Sequence, residues 1–129
     1  GGVPALPAAL YYYDVREHAL EVRSLGDVKA ALREVALDQA WIETAPVTVV
    51  ITGVDERTER QYGERGSERY VPMEAGHAGQ NLYLQAEALG LGTVAVGAFD
   101  DADISEVLDL DAGERPLYLM PVGPQPDGD

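Results

Sequence analysis

Apolar and polar positions alternate early in the chain and recur at steps of three and four further on. Residues 1–9 (GGVPALPAA) read as a lead-in loop of Gly, Pro and small apolar residues. Leu10-Tyr11-Tyr12-Tyr13 predicts an aromatic-rich strand, Asp14 to Glu17 a polar turn, and His18 to Arg23 the returning strand of a hairpin. Asp27 is placed to cap a helix from Val28 to about Thr44, with Val28, Leu32, Val35 and Ile42 on helical spacing. Pro46 ends it. The β-branched run Val47 to Ile51 lacks alternation, as expected of a strand buried on both faces. The charged stretch 54–66 predicts a short helix and then a loop.

The strongest periodic signal follows. Ser67 can cap a helix running to Leu89, in which Val71, Ala75, Ala78, Leu82, Ala86 and Leu89 form one stripe. Met73, His77, Asn81, Leu84 and Ala88 form a second, so the helix is expected to pack on both sides. Gly90 is its stop. Thr93 to Val96 predicts a short strand, Asp100 caps a helix of about 101–108, and Leu117 to Val122 is the last strand before a frayed PQPDGD tail. The order β-β-α-β-α-α-β-α-β is that of one α+β domain, residues 1–129, with a single sheet.

Composition narrows the functional classes. Nine basic residues stand against 23 acidic ones, a formal net charge of −14. That balance argues against nucleic acid and against an anionic membrane surface, both of which need a basic patch. Cys is absent, which removes disulfides, thiolate metal sites and Cys nucleophiles. With no membrane-length apolar run and no signal sequence, a cytoplasmic location is expected. One lysine, Lys29, against eight arginines and carboxylates spread along the chain suit a halophilic source. An ordinary acidic cytosolic protein is the alternative.

Several constellations invite chemistry. Gly90-Leu-Gly92 follows a helix and precedes a strand, the reverse of a dinucleotide fingerprint. Asp109, Asp111 and Gly113 lack the glycine and glutamate positions of a calcium loop. Glu74 and His77 share a helical face but have no second pair elsewhere, so no metal site is expected. His77 reads better as part of a polar network. Gly97 ends a strand just before a capped helix, where backbone N–H groups can face a ligand. Tyr62 is an aromatic in a charged loop, a more noticeable position than a strand.

Taken together, Tyr62-Gly63-Glu64-Arg65, then Arg69-Tyr70 through Glu74, Gly76-His77 and Gln80-Asn81-Leu82, then Gly90-Leu91-Gly92-Thr93 through Gly97-Ala98-Phe99-Asp100, resemble the nitroreductase superfamily. The nearest likeness is to the SagB-type, azoline dehydrogenase-like branch. Leu10 to Asp14 with His18 to Glu21 is similar to that branch's hairpin, and Pro116 to Gly123 to its last core strand. The resemblance implies an FMN-dependent α+β fold with a mixed sheet and a long central helix. It implies a homodimer through helix 67–89 with the flavin at the interface, and ping-pong electron transfer to a small or peptide substrate. Gly97 and Ala98 match the segment that approaches the flavin ring. Tyr62 is the candidate catalytic proton or hydrogen-bond donor, although the branch's Lys-Tyr pair is here Gln61-Tyr62. The family's N-terminal portion, with its phosphate-holding arginines, has no counterpart in these 129 residues, so a further segment or partner chain is implied. Arg115 and the Arg57–Arg69 group, interleaved with glutamates, are the cations open to a phosphate. The competing reading is a cofactor-free relic that keeps the fold as a dimeric binding module.

Overall fold

Turn chemistry sets the first pair of strands. In the computed structural model, which describes residues 2–125, β1 (Ala9–Asp14) and β2 (Ala19–Leu25) form the expected antiparallel hairpin. The Asp14 carboxylate accepts the N–H groups of Arg16 (2.7 Å) and Glu17 (3.1 Å), closing the turn. Tyr11 lies opposite Val22 and Tyr13 opposite Leu20, so these four share one apolar face.

The predicted helix 28–44 is in fact two, α1 (Lys29–Val35) and α2 (Ala40–Thr44). Leu37 and Asp38 take left-handed backbone angles between them, with φ of 54° and 55°. Arg33 staples the break, donating from Nε to Asp38 (2.7 Å) and from Nη1 to Glu43 (2.8 Å). The hydrogen bond to Glu43, then that to Asp38, hold its guanidinium above its ordinary pKa. The break lets Ile42 join the same core as Leu32 and Ala36. Asp27 is not the cap: α1 starts one residue later than expected, with Val28 at the N-cap position, and the Asp27 carboxylate accepts the Lys29 N–H at 3.0 Å from just outside the helix.

After β3 (Val47–Val54) comes α3 (Asp55–Tyr62), and a π-helical turn (Gly66–Tyr70) then runs straight into α4 (Val71–Ala88). Ser67 is therefore not a cap. It sits inside the π turn, where its hydroxyl meets the Glu59 carboxylate and the Glu64 carbonyl. Gly66 explains the change. A Cβ there would lie 2.9 Å from the Thr58 carbonyl carbon, so only glycine lets the turn start against α3. Gly90, with φ of 70°, stops α4 as predicted.

The long sheet has the order β3-β5-β4, all antiparallel, with β4 at Leu91–Thr93 and β5 at Glu114–Pro124. Two expectations are corrected. The hairpin forms a separate sheet, so the described strands make two sheets and not one. The strand buried on both faces is β5, whose Leu119 and Met120 are fully buried, while β3 is an edge strand and only half-covered. The register slips between Ile51–Tyr118 and Thr52–Pro116, leaving Leu117 as a bulge, which is where a strand accommodates Pro116. β4 stops earlier than predicted because the Ala95 N–H is taken by the Tyr83 hydroxyl at 2.7 Å. Only Val96 returns to the ladder, bridging Leu119.

Helices lie on both sides of this sheet. On one side α1, α2 and α5 (Asp101–Val107) bury Leu32, Ile42 and Ile104 against Leu119 and Val96. Asp100 caps α5 as expected, accepting the N–H groups of Ala102 and Asp103. Such a cap contributes about 1 kcal/mol. On the other side α4 lays Val71, Ala75, Gly79 and Ala86 on the sheet. The second stripe of α4 is a correction: Met73, His77, Asn81, Leu84 and Ala88 are all exposed, as are Ala78 and Leu89 of the first. Within one chain this helix packs on a single side. Glu114 to Pro124 extends the last strand at both ends, and residues 126–129 of the expected frayed tail lie outside the described ones.

Candidate functional site

Gly97 and Ala98 follow the Val96 bridge and precede the Asp100 cap. Both are exposed, and neither backbone N–H is bonded to another described residue. Two neighbours set their position. Val96 exchanges both backbone hydrogen bonds with Leu119 at 2.9 Å, and Tyr83 on α4 anchors Ala95. Beside them stands the Tyr118 ring. A Cβ at Gly97 would meet it at 3.7 Å, and one at Gly79 on α4 at 3.5 Å. The ring therefore lies between α4 and the 97–98 segment. Nearby on β4, the Thr93 hydroxyl is buried without a partner among the described residues.

Tyr62 is placed elsewhere, at the C-terminal end of α3 and half exposed. Its ring packs edge-on against Tyr70 at 5.0 Å, and the Tyr70 hydroxyl accepts from Arg65 Nε at 2.9 Å. The structure thus gathers Tyr62, Tyr70 and Arg65 into one cluster. Neither Tyr62 nor Gly97 lines the cleft between the β1–β2 hairpin and β3.

Arg115 is not open to a phosphate, contrary to the expectation. It grips Asp55 with two hydrogen bonds, at 2.8 and 3.0 Å, and donates to the Ser67 carbonyl at 2.9 Å. Bidentate geometry of this kind commits the guanidinium to its carboxylate. It ties the start of β5 to α3 and the π turn. Arg60 pairs with Glu56, whose carboxyl is held below its ordinary pKa by that bond.

The nitroreductase family profile matches residues 6–124 of this chain. The chain belongs to the nitroreductase family. A nitroreductase homologue of Methanocaldococcus jannaschii is 48% identical over 122 residues, which cover 94% of this chain and 60% of the relative. The chain thus spans about 60% of that relative's length. A nitroreductase of Anabaena variabilis has a TM-score of 0.87 at 31% identity, over 95% of this chain and 25% of its own. The NADPH:FMN oxidoreductase of Vibrio harveyi, solved with NAD+, has a TM-score of 0.65 at 25% identity, over 78% of this chain and 49% of its own.

Exposed N–H groups at 97–98, with no side chain at Gly97 to stand in the way, suit the edge of a flat polar ring. A phosphate dianion needs a cluster of uncommitted cations. Arg33, Arg60, Arg65 and Arg115 are all engaged within the chain, whereas Arg57 and Arg69 of the expected group are exposed and make no side-chain bond among the described residues. Sequence reasoning missed Tyr118, Tyr83 and Arg65. Tyr118 and Tyr83 carry no local signal, since only the crossing of α4, β5 and the 94–98 segment joins them. Arg65 reads as one more solvated charge until its bond to Tyr70 is seen.

Proposed function

We propose that this chain forms the ring-side portion of an FMN-dependent oxidoreductase, with the flavin held at a homodimer interface. The observation that carries the reading is the pair of unbonded N–H groups at Gly97 and Ala98, beside Tyr118 and next to α4. FMN, when bound, supplies the redox chemistry, in two half-reactions of ping-pong type with a small or peptide substrate. The chain's own residues do the rest. Gly97 and Ala98 donate to the ring edge, and Tyr118 backs the 97–98 segment. The exposed stripe of α4 packs on a second copy. Tyr62, packed edge-on against Tyr70, serves as a proton or hydrogen-bond donor to substrate. Gln61 stands where the SagB-type branch has the lysine of its Lys-Tyr pair, and Arg65, the nearby cation, is bonded to Tyr70 and not to Tyr62, which speaks against azoline oxidation.

The phosphate side predicts weak binding by this chain alone. FMN titrated into the 129-residue chain should leave flavin fluorescence almost unquenched. Adding the further family segment in trans should give saturable quenching. Tight binding by the short chain alone would show that other residues hold the phosphate. The second reading is a cofactor-free dimeric module, favoured by the internal pairing of Arg115. Absence of binding even with the added segment would favour it.

A halophilic source remains our reading of the charge. With a net charge of −14, self-repulsion opposes folding and salt screens it. The melting temperature should rise by several degrees between low and molar KCl. A flat or falling curve would remove the halophilic reading.

A further inference from the structure

The π turn (Gly66–Tyr70) leaves one backbone carbonyl short of a donor. At its end the Val71 N–H donates to the Gly66 carbonyl, five residues back. An α-helix would give that N–H to Ser67 instead. In the wider spacing the donor for Ser67 would be residue 72, and Pro72 has no N–H. The Ser67 carbonyl thus loses both helical donors. The ring of a proline inside an α-helix also clashes with the carbonyl four residues back, here that of Glu68, which is a second reason for the wider turn. A half-buried carbonyl left without a partner is costly. Arg115, far along the chain on β5, supplies the missing donor: its Nη2 reaches the Ser67 carbonyl at 2.9 Å. The other Nη2 hydrogen and the Nε hydrogen go to Asp55 at the start of α3.

We infer that Arg115 is a positioning residue for Tyr62, acting through the Ser67 carbonyl and the π turn. The turn fixes where Tyr70 falls relative to α3. Successive residues of an α-helix are about 100° apart around its axis, so winding one residue more or less into the turn swings Tyr70 by about that angle. In the observed turn the Tyr70 ring stands edge-on to Tyr62, with 5.0 Å between centroids, and its hydroxyl accepts from Arg65 Nε. Gly66 lets the turn start against α3, and Arg115 pins its middle to α3 through Asp55. The task needs a guanidinium. Two nitrogens in a fixed fork grip the carboxylate while a further N–H meets the carbonyl, which the single nitrogen of a lysine does not reproduce. The bearing on catalysis rests on the reading of Tyr62 as donor to substrate; the placement of the ring does not.

The test uses the 129-residue chain with labelled tyrosines. A nuclear Overhauser effect between the Tyr62 and Tyr70 rings reports their contact, and hydrogen exchange at the Val71 amide reports the π turn. Arg115→Ala should abolish the ring contact and speed Val71 exchange about tenfold, the effect of one lost hydrogen bond. Amides of the β1–β2 hairpin and of α5 should be unchanged. Free guanidinium at millimolar concentration should restore both signals, and methylammonium neither. Arg115→Lys should behave as Arg115→Ala does. Asp55→Ala leaves Arg115 in place and should lose the same contact; it decides the matter if the Arg115 variants do not fold. A ring contact that persists in Arg115→Ala or Asp55→Ala would overturn the inference. So would full retention in Arg115→Lys, or a loss in folded Arg115→Ala that guanidinium does not reverse. Faster exchange throughout the chain would overturn it too, by showing a general packing role. The readouts involve no flavin, so this inference and the flavin reading can fail separately.

Discussion

Gly97→Val is expected to leave the fold intact and to weaken FMN binding by the complete protein roughly a hundredfold. The structure separates the two effects. A Cβ at position 97 would meet only the Tyr118 ring, at an ordinary 3.7 Å, and the residue is exposed. Nothing within the chain therefore forbids a side chain there. A ring seated against the 97–98 backbone would be forbidden one. Overpacking of this kind costs about 1–3 kcal/mol, and about 1.4 kcal/mol is a factor of ten in affinity. The measurements are far-UV circular dichroism for the fold and flavin fluorescence for binding. Equal FMN affinity in variant and wild type would mean that the ring lies elsewhere. Loss of the fold would mean that Gly97 serves packing.

Leu84→Glu is expected to dissociate the homodimer while leaving each protomer folded. Leu84 is 61% exposed in the single chain and stands with Met73, His77 and Ala88 on the open side of α4. A carboxylate there meets water in the monomer and costs nothing. Buried against a second copy, it would lack a partner and cost about 2 kcal/mol or more, at least a thirtyfold rise in the dissociation constant. Two copies of the same face make the penalty count twice in a two-fold dimer. Sedimentation velocity of both forms in high salt decides the matter. A monomeric wild type would end the dimer proposal, and an unaffected dimer would move the interface off α4.

Much of the fold was legible in the residue pattern because local chemistry decided it. Asp14 turns the hairpin, Asp100 caps α5, and Gly90 stops α4; each acts on backbone groups within three residues. The family resemblance was legible for the same reason, since its motifs are contiguous runs that the profile over 6–124 also covers. Period alone could not say which stripe of α4 is covered, because two apolar stripes satisfy the same spacing. Only the sheet beneath Val71, Ala75 and Gly79 chose between them.

Tertiary contacts decided the rest. Arg33 reaching Glu43 ten residues on keeps the 28–44 segment broken, a pairing that helical propensity does not contain. Gly66 against Thr58 turned a capped helix start into a π turn. Arg115 looked free in the sequence and is locked by Asp55, sixty positions away. Tyr118, Tyr83 and Gly97 come together only where α4 crosses the sheet. The sequence by itself determined the hairpin, the α5 cap, the α4 stop and the family, because those depend on near neighbours. The structure alone decided the strand order, the half-buried edge of β3 and which arginines are spent, because those depend on partners far apart in the chain.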